Sequence, residues 1–237
     1  MFFLAVIRYS EAKSKGNGRS LRHMGGVRKP MPITWAMMTI GTLMSHLASA
    51  DEDSAMNETQ RRRFVAMAEG VPAERISVVR NGLDVRRFDE RAAAGLHAPL
   101  PPTDGSPVVV QVANMNHPVK RHEDLLVAAA RLNHAGTSVH VFLVGDGPRR
   151  PELEALAQQL GMKDRTHFLG HRTDVPAVCM RATLGVLCSS AEGLSNAVME
   201  GMAASLPMVV TKAGGNPELI EDGERGLVVR PCQPAEL

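Results

Sequence analysis

The chain of 237 residues is 44% hydrophobic and 22% charged, which is enough apolar material for one large domain or two small ones. Aromatic residues make up only 3%, so a core must be built from Val, Leu, Ala and Met, and stacking on nucleic-acid bases has few candidates; nucleic acid is not an expected partner. The formal charge of +2 conceals an uneven distribution, because residues 1–50 carry seven Lys/Arg against the single acid Glu11, leaving 20 basic and 24 acidic residues in the remainder.

A basic start of this kind suits a solvated leader or a peripheral position at the inner face of a membrane. "MFFLAVI" (1–7) is short and lacks a basic beginning. "ITWAMMTIGTLM" (33–44) follows Arg28-Lys29 and precedes Ala-Ser-Ala as a signal-peptide core would, but lies too far from the N-terminus and is too short to span a bilayer. The Gly-rich, charged run "KSKGNGRSLRHMGGVRKP" buries little surface. Asn57 can cap a helix over 58–68, "AERISVV" (73–79) reads as a strand, "NGLD" (81–84) as a turn, and 91–107 as a Pro- and Ala-rich connector. These features set a domain boundary near residue 105, dividing the chain into 1–105 and 106–237.

Beyond that boundary short apolar runs alternate with helical stretches. The runs are 107–113, 138–145, 166–170, 184–190, 207–211 and 226–230; the helices are expected near 121–135, 149–161, 174–182, 195–204 and 216–222. Each run is continuously apolar, as in parallel strands covered on both faces, so the expected fold class is α/β, a doubly wound parallel sheet. Ligands in such sheets lie outside the carboxyl ends of the strands. The loops to search are therefore 114–120, 145–148, 170–173, 190–196 and 212–216. Cys179, Cys188 and Cys232 form no CxxC pair, which points to a reducing cytosol, and no HExxH motif marks a metal site.

One stretch holds the densest chemistry, "SSAEGLSNAVMEGMAA" (189–204). A helix beginning near Ser195 offers backbone N–H groups from about Gly193 through Leu194, Ser195 and Asn196 to Ala197 to an anion. Glu200, just over one turn inside, carries a carboxylate able to accept from two neighbouring hydroxyls. The same residues in isolation also describe an ordinary Ser-capped helix with a solvated Glu. Gly201, Ala203 and Ala204 give the helix a small face for packing on a sheet, which turns Glu200 toward the ligand edge. Lys120, in the loop after the first strand, can neutralise charge on a leaving diphosphate. Arg121, beginning the next helix, points elsewhere.

The segments "GVPAERISVVRNGLDVRRF", "VVVQVANMNHPVKRHEDLLVAA", "VHVFLVGDGPRRPELEALAQQLGMKDRTHFLGHRTDV", "EGLSNAVMEGMAASLPMVVTKAGGNPELI" and "DGERGLVV", in this order, resemble the retaining group 1 glycosyltransferases of two-Rossmann-domain (GT-B) architecture. The resemblance runs from about residue 50 to the end. It implies transfer of a sugar from a nucleotide sugar, such as a UDP- or GDP-sugar, to an acceptor hydroxyl with retention, without metal or cofactor. It places Glu192 beside the transferred sugar, Glu200 on the ribose, Lys120 on the diphosphate, and the backbone at Gly170-His171-Arg172 on the nucleobase, although Arg172 reads equally well as a solvated side chain. Gly145 and Gly147 either open room for the nucleotide or simply make a tight turn, and Gly214-Gly215 reads as a turn.

Departures accompany the likeness. Asn114, Asn116 and His117 stand where the family commonly has an Arg ahead of its Lys. The acceptor-side domain is represented only by its last quarter, and "PCQPAEL" falls where members continue into further helices, so the chain reads as a donor-binding half shortened at both ends. The acceptor side then belongs to a separate chain, and the acceptor to a lipid-linked or polysaccharide intermediate. The alternative function is a nucleotide-binding module without catalysis. A dinucleotide oxidoreductase is disfavoured because no GxGxxG follows "VVVQVA", and a sugar epimerase lacks motif support.

Overall fold

The computed structural model describes residues 67, 70–72, 75–77 and 79–237, and the chain divides into two units, Met1–Val79 and Arg80–Leu237. The leader and its signal-like stretch lie outside the described residues, as does the helix expected over 58–68 apart from Met67, which is helical. The strand expected over 73–79 is corrected: Arg75 sits in a short turn, Ile76, Ser77 and Val79 belong to no strand, and Val79 is 88% exposed. A β-branched run makes a strand only where a neighbour completes its ladder, and among the described residues the sheet's pairings all lie between 108 and 229.

The second unit begins at Arg80, ahead of the boundary expected near 105, because the segment read as turn and connector contains a helix. This is α1, Val85–Ala93, capped by the Asp84 carboxylate, which accepts from the Arg87 amide at 3.1 Å. It is polar almost throughout and holds to the domain by Phe88, which is 3% exposed.

Six parallel strands follow: β1 Val108–Val112, β2 His140–Val144, β3 Thr166–Gly170, β4 Leu184–Leu187, β5 Met208–Thr211 and β6 Gly226–Val229. The crossovers carry α2 His122–His134, α3 Arg150–Gln159, α4 Val175–Cys179, α5 Asn196–Ala203 and α6 Asn216–Leu219. Every strand and helix expected after residue 106 is present, and the fold class is a doubly wound parallel α/β sheet. The helix expected over 216–222 ends early because Ile220 turns extended (φ −109°, ψ 114°) and buries its side chain.

Alternation along each strand splits the apolar side chains between two layers. Val109, Val141 and Leu143 face Leu125, Leu126 and Ala129 of α2 and Leu153 of α3. Val108, Val110, Phe142, Leu187 and Val210 face Phe88 of α1, Val178 of α4 and Val198 of α5. Among the described residues no helix is long and apolar enough to cross a membrane.

The strand order is β3-β2-β1-β4-β5-β6. The chain winds outward from β1 through β2 and β3, then returns to the other side of β1 with β4. That reversal opens a crevice at the carboxyl ends of β1 and β4, between loops that leave in opposite directions.

Gly145 and Gly147 owe their identity to a neighbouring loop. A Cβ on Gly145 would lie 2.2 Å from the Ala113 carbonyl oxygen, and one on Gly147 would lie 2.4 Å from the Met115 carbonyl carbon. The loops after β1 and β2 thus touch backbone to backbone. Gly145→Ala is expected to cost about 2–3 kcal/mol in urea unfolding, because strain at φ 139° adds to the clash. Gly136→Ala, with φ 89° and open space around it, should cost only about 1 kcal/mol.

Candidate functional site

The two strand ends at the crevice supply one acid and one base. After β1 the chain makes a short 3-10 turn, Pro118–Lys120, and Arg121 then takes a left-handed conformation (φ 49°, ψ 44°). This turns Arg121 back on its own helix, where it binds Asp124 through 2.9 and 2.8 Å hydrogen bonds and pairs with Glu123 at 3.0 Å. Lys120 is left facing the crevice. Its ammonium donates to Oε1 of Glu192, which follows β4, and Ser189 Oγ donates to the same oxygen at 2.6 Å. The Glu192 side chain is only 9% exposed, that of Lys120 30%.

Beneath this pair runs a set of buried polar side chains that the sequence reading missed. Gln111 Nε2 donates to the Lys120 carbonyl at 3.0 Å; Thr211 Oγ1 donates to the Ser189 carbonyl at 2.5 Å; Asn216 Nδ2 donates to the Thr211 carbonyl at 3.1 Å. Each of these bonds holds the backbone of a residue that carries or supports the site. The available signal was a polar residue inside or ending an apolar strand, as with Gln111 in "VVVQVA". His122, fully buried at the start of α2, places Nε2 3.3 Å from the Ala113 carbonyl, so that nitrogen carries the proton. Burial pushes its imidazole below the usual range.

The loop from Glu192 to Asn196 is shaped from behind. Gly214 has φ 53°, and a Cβ on it would lie 1.9 Å from the Glu192 carbonyl oxygen. The Gly215 amide donates to the Gly193 carbonyl at 2.9 Å. The glycine pair is a packing surface for this loop. On the other side Asn81 Nδ2 reaches the Leu194 carbonyl at 3.3 Å and Asn196 Oδ1 at 3.4 Å. Ser195 caps α5, its Oγ accepting from the Val198 amide at 3.4 Å. The amides of Gly193, Leu194, Ser195, Asn196 and Ala197 find no acceptor among the described residues. They form a run of free donors that begins directly after Glu192, the partner of Lys120.

Glu200 lies one turn into α5 beside Gly201, whose missing side chain lets the helix sit on Met208 of β5; a Cβ there would come 2.4 Å from the Met208 sulfur. Glu200 is half-buried and makes no hydrogen bond or ion pair with Lys120 or Glu192. Burial pushes its carboxyl above the usual range, and the Arg91 charge partly offsets this.

The remaining sequence candidates separate from this group. Arg172 is engaged elsewhere: its guanidinium holds Asp174 through 2.8 and 2.6 Å bonds and the Ala98 carbonyl at 2.9 Å. Asp174 also accepts from the His97 amide at 2.6 Å, and Arg172 beside it holds its carboxyl down at about 2. Arg172 therefore ties the 94–100 segment to the loop after β3. His171 is exposed on that loop, and Gly145 lies under the loop after β1. Among the described residues no three His, Cys, Asp or Glu side chains come together to hold a metal ion.

A doubly wound parallel sheet with this crevice defines a Rossmann-like domain of the kind found in GT-B glycosyltransferases. The chain belongs to the glycosyl transferases group 1 family, whose model matches residues 106–237. It is 28% identical over 190 residues to N-acetyl-alpha-D-glucosaminyl L-malate synthase of Bacillus anthracis, covering 80% of this chain and 48% of that protein. It is 34% identical over 157 residues to alpha-D-kanosaminyltransferase of Streptomyces kanamyceticus, covering 65% of this chain and 38% of that enzyme. The crystal structure of Anabaena HepE in complex with UDP and glucose superposes with a TM-score of 0.63 at 26% identity, over 76% of this chain and 50% of that one. The chain thus spans half or less of the length of these relatives.

Two outcomes follow from the geometry. Arg172→Ala strands the buried Asp174 carboxylate and should lower stability by about 3 kcal/mol in chemical unfolding while leaving nucleotide binding unchanged. Glu200 behaves oppositely with pH. Its raised folded-state pKa means the native protein binds the extra proton, so stability falls as pH rises from the ordinary carboxyl range through the raised value. Glu200→Gln should therefore raise the melting temperature at neutral pH, by roughly 2–4 °C per kcal/mol relieved, and lose that advantage below the ordinary carboxyl range.

Proposed function

We propose that the chain is the donor-binding part of a retaining glycosyltransferase that takes a nucleoside diphosphate sugar and passes a hexosyl group to an acceptor hydroxyl. The observation that carries this is the meeting of Lys120 and Glu192 at the switch-point crevice, at the head of a loop whose amides from Gly193 to Ala197 are free. A cation and a run of backbone donors suit a diphosphate; a carboxylate beside them suits sugar hydroxyls. The relation to HepE, crystallised with UDP and glucose, supports a uridine-type donor.

In this reading the diphosphate lies along the amides of 193–197, Lys120 counters the charge that grows on it, and Glu200 receives the ribose hydroxyls. The acceptor oxygen forms its bond to the anomeric carbon on the face from which the diphosphate departs, the sugar–phosphate bond breaks, and the acceptor's proton passes to a departing phosphate oxygen. Glu192 holds the sugar through hydroxyls and forms no covalent bond to it. Positive charge for the leaving group comes from Lys120 and the α5 amides, so the step needs no metal.

Titration calorimetry with UDP and uridine tests the assignment. Lys120→Met should weaken UDP by about tenfold and leave uridine unaffected, whereas Glu200→Ala should weaken both by a similar factor. Unchanged UDP binding in both variants overturns it.

A further inference from the structure

Lys120 is already occupied. Its ammonium is bound to Glu192 Oε1, and that carboxylate is held in place a second time by Ser189, a fully buried residue whose backbone is pinned by Thr211. Glu192 Oε2 accepts no bond among the described residues. A phosphate and this carboxylate are therefore rivals for one cation, at side chains that are 30% and 9% exposed, where screening by water is incomplete.

We propose that Glu192 is an internal competitor for Lys120, and that the site exchanges partners when the donor arrives. The proposal rests on the donor-site reading given above. The incoming diphosphate draws Lys120 away from Glu192, Ser189 keeps the carboxylate from following, and the sugar's hydroxyls replace the ammonium as donors to Glu192. A nucleotide sugar leaves every charged group partnered. The bare nucleoside diphosphate, lacking those hydroxyls, leaves a poorly exposed carboxylate facing an anion. The exchange thus favours the substrate over the nucleotide product and eases product release. Ser189 acts as a positioning residue, working through Glu192.

The arrangement makes an unusual demand: removing an acid from the site should tighten UDP. With the full chain in calorimetry, Glu192→Gln, which keeps the shape and still accepts from Ser189, should bind UDP about threefold or more tightly than the parent chain. Glu192→Ala removes the same charge and carries the same expectation, so the result does not hang on one variant folding, and melting curves identify any that does not. The gain should shrink in a Lys120→Met background, where only the direct repulsion between the carboxylate and the phosphate is left to relieve. Ser189→Ala should weaken UDP-glucose by about threefold while leaving UDP within twofold, a split that general destabilisation would not produce. UDP affinity unchanged or weakened by both Glu192 substitutions overturns the exchange, as does tightening that is undiminished without Lys120. If Lys120→Met alone leaves UDP binding unaltered, the exchange falls by itself; if Glu200→Ala does so as well, the donor-site reading falls and takes the exchange with it.

Discussion

Everything at the site depends on β1 lying between β2 and β4. Parallel strands require a crossover on one face or the other, and reversing the direction of winding at β1 sends the loops after β1 and β4 apart. Lys120 and Glu192, separated by 72 positions in sequence, meet because those two loops share the gap. An ion pair in such a place gives up hydration on both sides, and Coulomb attraction alone seldom offsets that loss. Here the Ser189 hydroxyl supplements it, and the Lys120 backbone is tied to Gln111. The pair is a product of topology that local hydrogen bonds make tolerable.

The loop after β4 illustrates how backbone shape is imposed from outside. Its amides from Gly193 to Ala197 have no acceptor among the described residues to hold them, so their placement rests on what packs around the loop. Gly214 and Gly215 allow the following loop to press against it at distances no Cβ permits, while Asn81 holds the far side. Preorganised donors bind an anion without the entropic loss of ordering them first.

The sheet was legible because each strand is a continuous apolar run bounded by Gly, Pro or polar residues, and parallel burial produces that pattern directly. Lys120 and Glu192 were legible for the same reason: once the strands are placed, their carboxyl ends are known. α1 was not, since a polar helix held by Phe88 has almost no apolar period to read, and "NGLD" and "RAAAGLHAPLPP" look like turn and linker. Arg172 looked available because nothing local reveals that Asp174, two residues on, is buried and needs it. The supporting hydroxyls and amides of Ser189, Thr211, Asn216 and Gln111 were hidden because their value comes from neighbours on other strands. Gly145 and Gly147 were visible, but the loop–loop approach that requires them is a tertiary fact.

The segment leading into β1 is more than a tether. It is fastened at Leu194 through Asn81, at Asp174 through the His97 amide, at Arg172 through the Ala98 carbonyl, and at His140 and Arg165 through Asp104. These attachments fall at both ends of the sheet, and most of them lie near solvent, so their opening costs less than unfolding the core. When the segment lifts, Phe88 loses its cover and the Leu194 carbonyl loses a donor in the same event. Hydrogen exchange at α1 and at the loop after β4 is therefore expected to rise together, and the order of the free amides after Glu192 is borrowed in part from a stretch of chain on the far side of that loop.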